Sequence, residues 1–277
     1  MKRFLPAIFL ISILTVALDA QTPVISKNGV VNGASFAGGQ AVAPGSLISI
    51  FGSDLAAGVK SASSIPLSTS MEGVTVTFNN HDVPLKDVTP GQINAQVPWG
   101  VLPGGGPGMV NVVVTRNGVT SLPLAVQISP EAPGIFVSAV SVAGKNVFYA
   151  WASNFTDDSS LPWPTGTAPK NKTPQRPAKV GDVLIIYATG LGEVNPAVPD
   201  GHNALDGKLH VPVAAPQVLI GGVKAKVLGS ALSPQFVGVY QINAKIPTGV
   251  PTGNEVPIQL KSGSVTSPAA NAVIAIE

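Results

Sequence analysis

One ten-residue phrase occurs twice in this chain of 277 residues and constrains its fold more than any other feature. It reads QINAQVPWGV from Gln92 and QINAKIPTGV from Gln241, with a proline closing the same apolar run. In the first copy, Ile93, Ala95 and Val97 alternate with polar amide residues. A period of two predicts a β-strand with one face on a core and the polar face opposite. The chain is therefore expected to contain two related units of sheet.

Other segments recur in the same order around the two phrases. PGSLISIFGSDL, from Pro44, corresponds to VGDVLIIYATGL, from Val180, and both come before the phrase. A strand-like segment with a turn follows each copy of the phrase, and the second half carries extra loop residues between matched segments. Loops that lengthen while strands keep their order are what duplication of a folded unit predicts.

The strand pattern and the composition together predict the fold class. Alternation of apolar and polar residues recurs from segment to segment, and 30 glycines and 26 prolines favour turns over long helices. We predict an all-β protein of two tandem immunoglobulin-like antiparallel β-sandwich modules formed by internal duplication, in preference to a closed barrel. The predicted parts are a signal peptide at 1–20, a first module at 21–131, an aromatic and proline-rich connector at 132–178 and a second module at 179–277.

The first twenty residues have the order of a secretory signal. Lys2 and Arg3 precede an apolar run, and Ala20 stands just before the polar Gln21. The run is shorter than the roughly 20 residues of a membrane span, which favours cleavage over a retained anchor. We expect a protein that is secreted, periplasmic or on the cell surface, with no membrane span after cleavage.

Charge and cysteine content exclude several classes of function. The net charge is only +2 and the basic residues are scattered, so no nucleic-acid partner is expected. The chain has no cysteine, which excludes disulfides, thiol catalysis and cysteine-bound metals.

Several motifs also make the sequence recognisable, in this order: GASFAGGQAVAPGSLISIFGSDLA, PGQINAQVPWG, APGIF, IYATGLGEVNPAVPDG, PVAAPQVLIGG and FVGVYQINAKIP. From roughly residue 30 to the end, the chain resembles an uncharacterised family found mainly as a C-terminal domain of secreted Solibacter and other acidobacterial proteins. PGSLISIFGSDL is also similar to the opening strand of IPT/TIG immunoglobulin-like modules. Both resemblances imply β-sandwiches, and neither implies a substrate.

The connector carries the candidate ligand site. Its segment Asn146–Pro177 is rich in aromatic residues, although aromatics make up only 5% of the chain. We select Tyr149, Trp151 and Trp163 as candidate ligand-binding residues, because aromatic faces near a module junction suit a sugar or a peptide. The alternative is that these rings only pack, as a plug between modules or as ordinary strand residues.

The polar face of the repeated phrase has two interpretations. Its amides could form a stripe that binds an extended ligand, or they could bond neighbouring loop backbone and face solvent, which is commoner on sheet faces.

Catalytic and metal-binding patterns are weak. His202, Asp206 and His210 could form a metal site, and Asp200, Asn203 and Asp206 could form a calcium loop, but neither set has a recognised ligand spacing. We therefore predict no catalytic residues, no metal and no cofactor.

These observations favour a secreted, non-enzymatic interaction or adhesion module whose partner is an unknown extracellular protein or glycan. A carbohydrate-binding protein that uses the aromatic connector is the alternative, and a metal-dependent hydrolase is a more remote one.

The signal sequence leads to a direct prediction. Expressed from Met1 in a bacterial host, the protein is expected outside the cytoplasm with Gln21 at its N-terminus, as read by mass spectrometry of the intact chain. A cytoplasmic protein that retains Met1 would contradict the assignment.

Overall fold

The computed structural model describes residues 21–101, 106–156, 159–167, 174–268 and 272–277. The predicted signal peptide, 1–20, lies outside the described residues. Within these ranges the regular elements are all strands, so none of them contains a helix that could cross a membrane. The prediction of an all-β protein is confirmed.

The first module is a sandwich of two antiparallel sheets. In the described ranges its strands are β1 (Val24–Asn32), β2 (Leu47–Ser53), β3 (Lys60–Ser61), β4 (Ser70–Met71), β5 (Val74–Phe78), β6 (His81–Asp82), β7 (Leu85–Val88), β8 (Gln92–Gln96), β9 (Gly108–Arg116), β10 (Val119–Thr120) and β11 (Leu124–Ile128). One sheet has the order β1-β2-β8-β7-β3. The other has the order β10-β9-β5-β4, with β11 on β9 and β6 on β5. Ile50, Phe78 and Ile93 are fully buried in the core that the two sheets share.

The second module has one long sheet that folds over its own core. Its strands in the described ranges are β12 (Gly134–Ile135), β13 (Val137–Val142), β14 (Lys145–Ala150), β15 (Ala152–Asn154), β16 (Val183–Thr189), β17 (Val194–Asn195), β18 (Val211–Pro212), β19 (Gln217–Ile220), β20 (Val223–Leu232), β21 (Tyr240–Lys245), β22 (Gly253–Ser262), β23 (Val265–Thr266) and β24 (Val273–Ile276). The main order is β12-β16-β21-β20-β19-β22-β24-β14-β13. Strand β20 connects the two halves of this long sheet, because its first residues pair with β19 and its later residues pair with β21.

The predicted connector contributes strands to this second sheet. Strands β12 and β15 pair with β16, and β14 lies beside β24 through Tyr149 and Val273. Residues 134–154 therefore extend the second module and do not form a free linker.

The two QINA strands occupy matching positions. Each lies antiparallel to the strand that PGSLISIF or VGDVLIIY forms, with the same register: Leu47 opposite Gln96, Phe51 opposite Gln92, Val183 opposite Lys245 and Tyr187 opposite Gln241. The apolar residues of the first copy are fully buried, as the period of two predicted. A shared register is what an internal duplication would leave, and duplication itself stays a prediction.

The modules meet where their backbones approach closely. The Thr189 hydroxyl accepts a hydrogen bond from the Leu47 N–H (2.9 Å) and donates one to the Gly238 carbonyl (2.6 Å). Gly238 has a φ of +67°, and a Cβ there would lie 2.8 Å from the Gly45 carbonyl oxygen. Only glycine permits this approach without moving the backbone. Asn32 adds a third link, since its amide donates to the Ala132 carbonyl at 2.8 Å.

A loop of the second module also forms hydrogen bonds with the first module. The Gly201 N–H donates to the Gln96 side chain at 2.7 Å, and the Gly201 carbonyl accepts from the Leu67 N–H at 2.8 Å. Asp200 accepts a hydrogen bond from the Trp99 N–H at 2.8 Å. One amide of the repeated phrase thus bonds loop backbone, as one of the two interpretations proposed.

Replacing the buried bridge at the junction should destabilise the protein. Thr189→Val keeps the side-chain shape but leaves the Leu47 N–H and the Gly238 carbonyl unpaired, and each lost partner costs about 1–3 kcal/mol. We expect the free energy of unfolding, measured by urea denaturation, to fall by about 2–3 kcal/mol. The control Thr266→Val changes an exposed strand residue and should have little effect. Equal stability of the two variants would show that the bridge contributes nothing.

Candidate functional site

A groove of about 840 Å³ lies at the junction of the two modules. The first module contributes Leu47, residues 61–65, Leu67 and the pair Lys86 and Asp87. The opposite wall consists of Phe136, Trp151, Tyr187, Gln235, Phe236, Val237 and Val239. The volume falls within the range of about 300–1,000 Å³ that is usual for ligand sites, and junctions between domains are common places for them.

The groove has an aliphatic floor and exposed apolar sides. Leu67, Val237 and Val239 are less than one-tenth exposed and form part of the floor. Ile65, Trp151 and Phe236 are 44%, 51% and 51% exposed, and they come from three separate segments of the chain. Large apolar side chains that converge in one concavity are typical of an interaction site, whereas single ones are normal on any surface.

The side chain of Trp151 is held in place with much of its ring open to solvent. Its indole Nε1 donates to the Ser138 hydroxyl at 2.6 Å, and its ring packs against Phe136 with centroids 6.5 Å apart. Main-chain bonds to Phe136 and Tyr187 fix the backbone on both sides. A ring with a satisfied polar edge and an exposed face can contact a ligand at little entropic cost.

Tyr149 and Trp163 do not share this position. They are 0% and 3% exposed, and their ring centroids lie 5.7 Å apart in a cluster with Val140 and Val147. The Trp163 Nε1 donates to the Ala150 carbonyl at 3.1 Å. Tyr149 is covered by Trp163 and the neighbouring valines, so these two rings belong to a small core of their own. The structure brings only Trp151 to the groove, and contact of all three rings with one ligand is not compatible with this burial.

Three groove residues, Ile65, Phe136 and Phe236, were not predicted from the sequence. Phe136 lies within APGIF, which indicates only a family resemblance, and the other two lie in loops without periodicity. An aromatic residue two positions after a proline in a turn-rich segment, as in SPQF, was the available signal for Phe236.

The polar side chains at one end of the groove form hydrogen bonds with one another. Asp87 accepts hydrogen bonds from Lys86 Nζ at 2.7 Å and from the Asn94 amide at 3.2 Å. Burial raises the pKa of Asp87, but the hydrogen bonds from Lys86 and the other donors outweigh burial and hold this pKa below its usual range. Asn94 in turn accepts from Ser49 and Gln92, each at 2.8 Å. Two of the three amides of the first copy, Gln92 and Asn94, therefore bond to each other, and Asn94 also bonds to Asp87.

His210 forms a pair with Asp206 and does not join a metal cluster with the other predicted ligands. His210 is 2% exposed, with Nε2 at 2.8 Å from Asp206 Oδ1 and Nδ1 at 2.7 Å from the Pro196 carbonyl oxygen. His202 instead contacts the carbonyl of Asp200. In the part of the chain that the structure describes, no group of three His, Asp or Glu side chains is placed to hold a metal ion. Burial alone lowers the pKa of His210, but its bonds to Asp206 and Pro196 outweigh burial and raise it.

Comparison with known proteins gives one family match. Residues 31–129 match the model of the IPT/TIG domain, which agrees with the resemblance read from PGSLISIFGSDL. The resemblance to the acidobacterial family stays a prediction. No curated protein matches the chain significantly.

Solved structures give only distant similarities. The C-terminal domain of the Streptococcus agalactiae AgI/II polypeptide BspA aligns with 89% of this chain and 98% of that domain, at 10% identity and a TM-score of 0.17. The endo-fucoidan hydrolase MfFcnA4 from glycoside hydrolase family 107 aligns with 82% of this chain and 41% of that protein, at 8% identity and a TM-score of 0.13. TM-scores this low carry no argument about fold or function.

The two environments of tryptophan predict different effects on stability. Trp163→Ala removes a buried ring and should lower the free energy of unfolding by about 3–5 kcal/mol. Trp151→Ala removes a half-exposed ring and should cost less than about 1 kcal/mol, as for most surface changes without a buried partner. Chemical denaturation of both variants measures the difference, and a larger loss for Trp151→Ala would contradict the assigned positions.

The His210–Asp206 pair predicts a pH dependence of stability. Because the folded protein raises the pKa of His210, this contribution is complete below the unfolded value of about 6.5 and is lost as pH rises through the folded pKa. We expect the free energy of unfolding to decrease as the pH rises above about 6.5, and His210→Gln to remove this part of the decrease. The control His81→Gln changes an exposed ring and should leave the decrease in place. A profile that is identical in wild type and His210→Gln would contradict the assignment.

Proposed function

We propose that the protein is a non-enzymatic interaction module of the cell surface or extracellular space, and that its ligand binds in the junction groove. The observation that carries the proposal is the convergence of Ile65, Trp151 and Phe236, all about half exposed, on one concavity. The IPT/TIG match of the first module supports an immunoglobulin-like scaffold as the support for this surface.

The way in which the modules join also favours binding. The hydrogen bonds of Thr189, Asn32 and Gly201 hold the two walls of the groove relative to each other before any ligand arrives. A site formed in advance loses less conformational entropy when it binds than a site that must be assembled.

The polar groups of the groove are poorly suited to catalysis. Among the described residues that line it, Asp87 is the one carboxylate, and Lys86 and Asn94 both donate to its Oδ2. A general base needs a pKa near the working pH, whereas the pKa of Asp87 is held below its usual range. This arrangement supports a binding function.

A binding screen with matched variants tests the proposal. Immobilised wild-type protein, Trp151→Ala and Phe155→Ala would be exposed to glycan and peptidoglycan arrays and to random phage-displayed peptides. Phe155 is 68% exposed but does not line the groove, so its substitution controls for general loss of an aromatic side chain. We expect ligands that wild type and Phe155→Ala retain and Trp151→Ala loses. Ligands that bind all three proteins equally, or no ligand at all, would contradict a groove-based function.

Carbohydrate binding is the second candidate. It is favoured by the fixed indole of Trp151, because the exposed face of such a ring can stack on a sugar. Trp151-dependent retention on the glycan array would support it.

A further inference from the structure

We propose that the groove receives an uncharged peptide segment of a partner protein that carries bulky apolar side chains. The inference rests on the proposed function, since it names the chemistry of the ligand for the same groove. Four observations, on charge, the groove floor, the rim and the module interface, support it.

The charges at the groove cancel each other. Lys86 and Asp87 are the charged side chains among its described lining residues, and they form an ion pair at 2.7 Å. A charged ligand group placed in the groove would lose its water without gaining a partner of opposite sign, which is costly. The buried part of the ligand is therefore uncharged.

The floor of the groove favours apolar side chains over sugars. Leu67, Val237 and Val239 offer methyl groups and no hydrogen-bonding atoms in their side chains. Sugar hydroxyls buried on such a surface would lose hydrogen bonds with water, and each unpaired hydroxyl is unfavourable. Aliphatic or aromatic side chains would instead gain by leaving water, at about 25 cal/mol per Å² of apolar area.

The rim of the groove suits a peptide backbone. Ser63, Ser64 and Ile65 are exposed, and their main-chain groups make no hydrogen bond with any described residue. The two serine hydroxyls and the Gln235 amide add further donors and acceptors along the groove. A peptide carries N–H and C=O groups that can pair with this rim, whereas an acyl chain would leave the rim unpaired.

The groove also continues the interface between the modules. Leu47 lines the groove, while its N–H is bonded to Thr189 inside the junction. Val237 and Val239 line it on either side of Gly238, which packs against Gly45. A peptide bound here would extend a protein–protein contact that already exists within the chain.

Selection from a phage library of random twelve-residue peptides tests the proposal. The library is selected on wild-type protein alone, and synthetic capped forms of the enriched peptides are measured by calorimetry against wild type and each variant. We expect an enriched core without charged residues and with at least two bulky apolar ones. Binding should weaken at least tenfold in Trp151→Ala and Phe236→Ala and stay unchanged in Phe155→Ala. Replacing one apolar core residue of the peptide by Asp should weaken binding by a similar factor.

The outcomes separate this inference from the proposed function. Enriched peptides with charged cores would overturn the peptide assignment and leave a groove-based function in place. Binding of cellohexaose or chitohexaose that depends on Trp151, without any peptide binding, would have the same consequence. No ligand of any class that depends on Trp151 would overturn both. If Phe155→Ala abolishes binding of the enriched peptides and Trp151→Ala does not, the peptides bind outside the groove, and both proposals are overturned.

Discussion

The hydroxyl of Thr189 forms a buried hydrogen-bond bridge at a place where the backbones of the two modules approach closely. It pairs with the Leu47 N–H of the first module and with the carbonyl of Gly238 in the second. Gly238 and Gly45 have positive φ values and no side chain, so the strands on both sides can approach. The groove depends on this contact, because its floor residues lie directly beside the bonded ones. The module interface is thus the structural basis of the proposed function.

The recognisable motifs of the sequence have a common place in the structure. PGSL supplies Gly45, APGIF supplies Ala132, ATGLG supplies Thr189, PDG supplies Gly201 and FVGVY supplies Gly238. Each of them bonds or packs across the junction, whereas the apolar positions of the strands fill the two cores. The period of two predicts the buried face of QINA because burial along a strand is a local property. The junction is made by contacts between distant segments, and no local pattern could identify it.

Local sequence patterns also predicted the candidate site only in part. The aromatic content of the connector drew attention to Trp151, which lines the groove, but it could not separate this ring from the buried Tyr149 and Trp163. Which face of β14 is covered depends on the packing of Trp163 and its neighbours over the strand, a tertiary contact that the aromatic content does not specify. Phe236 and Ile65 lie in loops, where side-chain direction follows from backbone turns and not from a repeat. Composition therefore indicated a segment that borders the groove, and only the fold shows which of its rings lines that groove.

Amide hydrogen exchange of Leu47 and Gly201 tests the docked junction most directly. Both N–H groups donate to side chains of the other module, at 2.9 and 2.7 Å. If the modules are joined as described, both amides should exchange only when the protein unfolds, at rates similar to that of the buried Ile50 in the first core. If both exchange as fast as the exposed Gly58 while Ile50 stays protected, the modules separate in solution and the groove is not a fixed site.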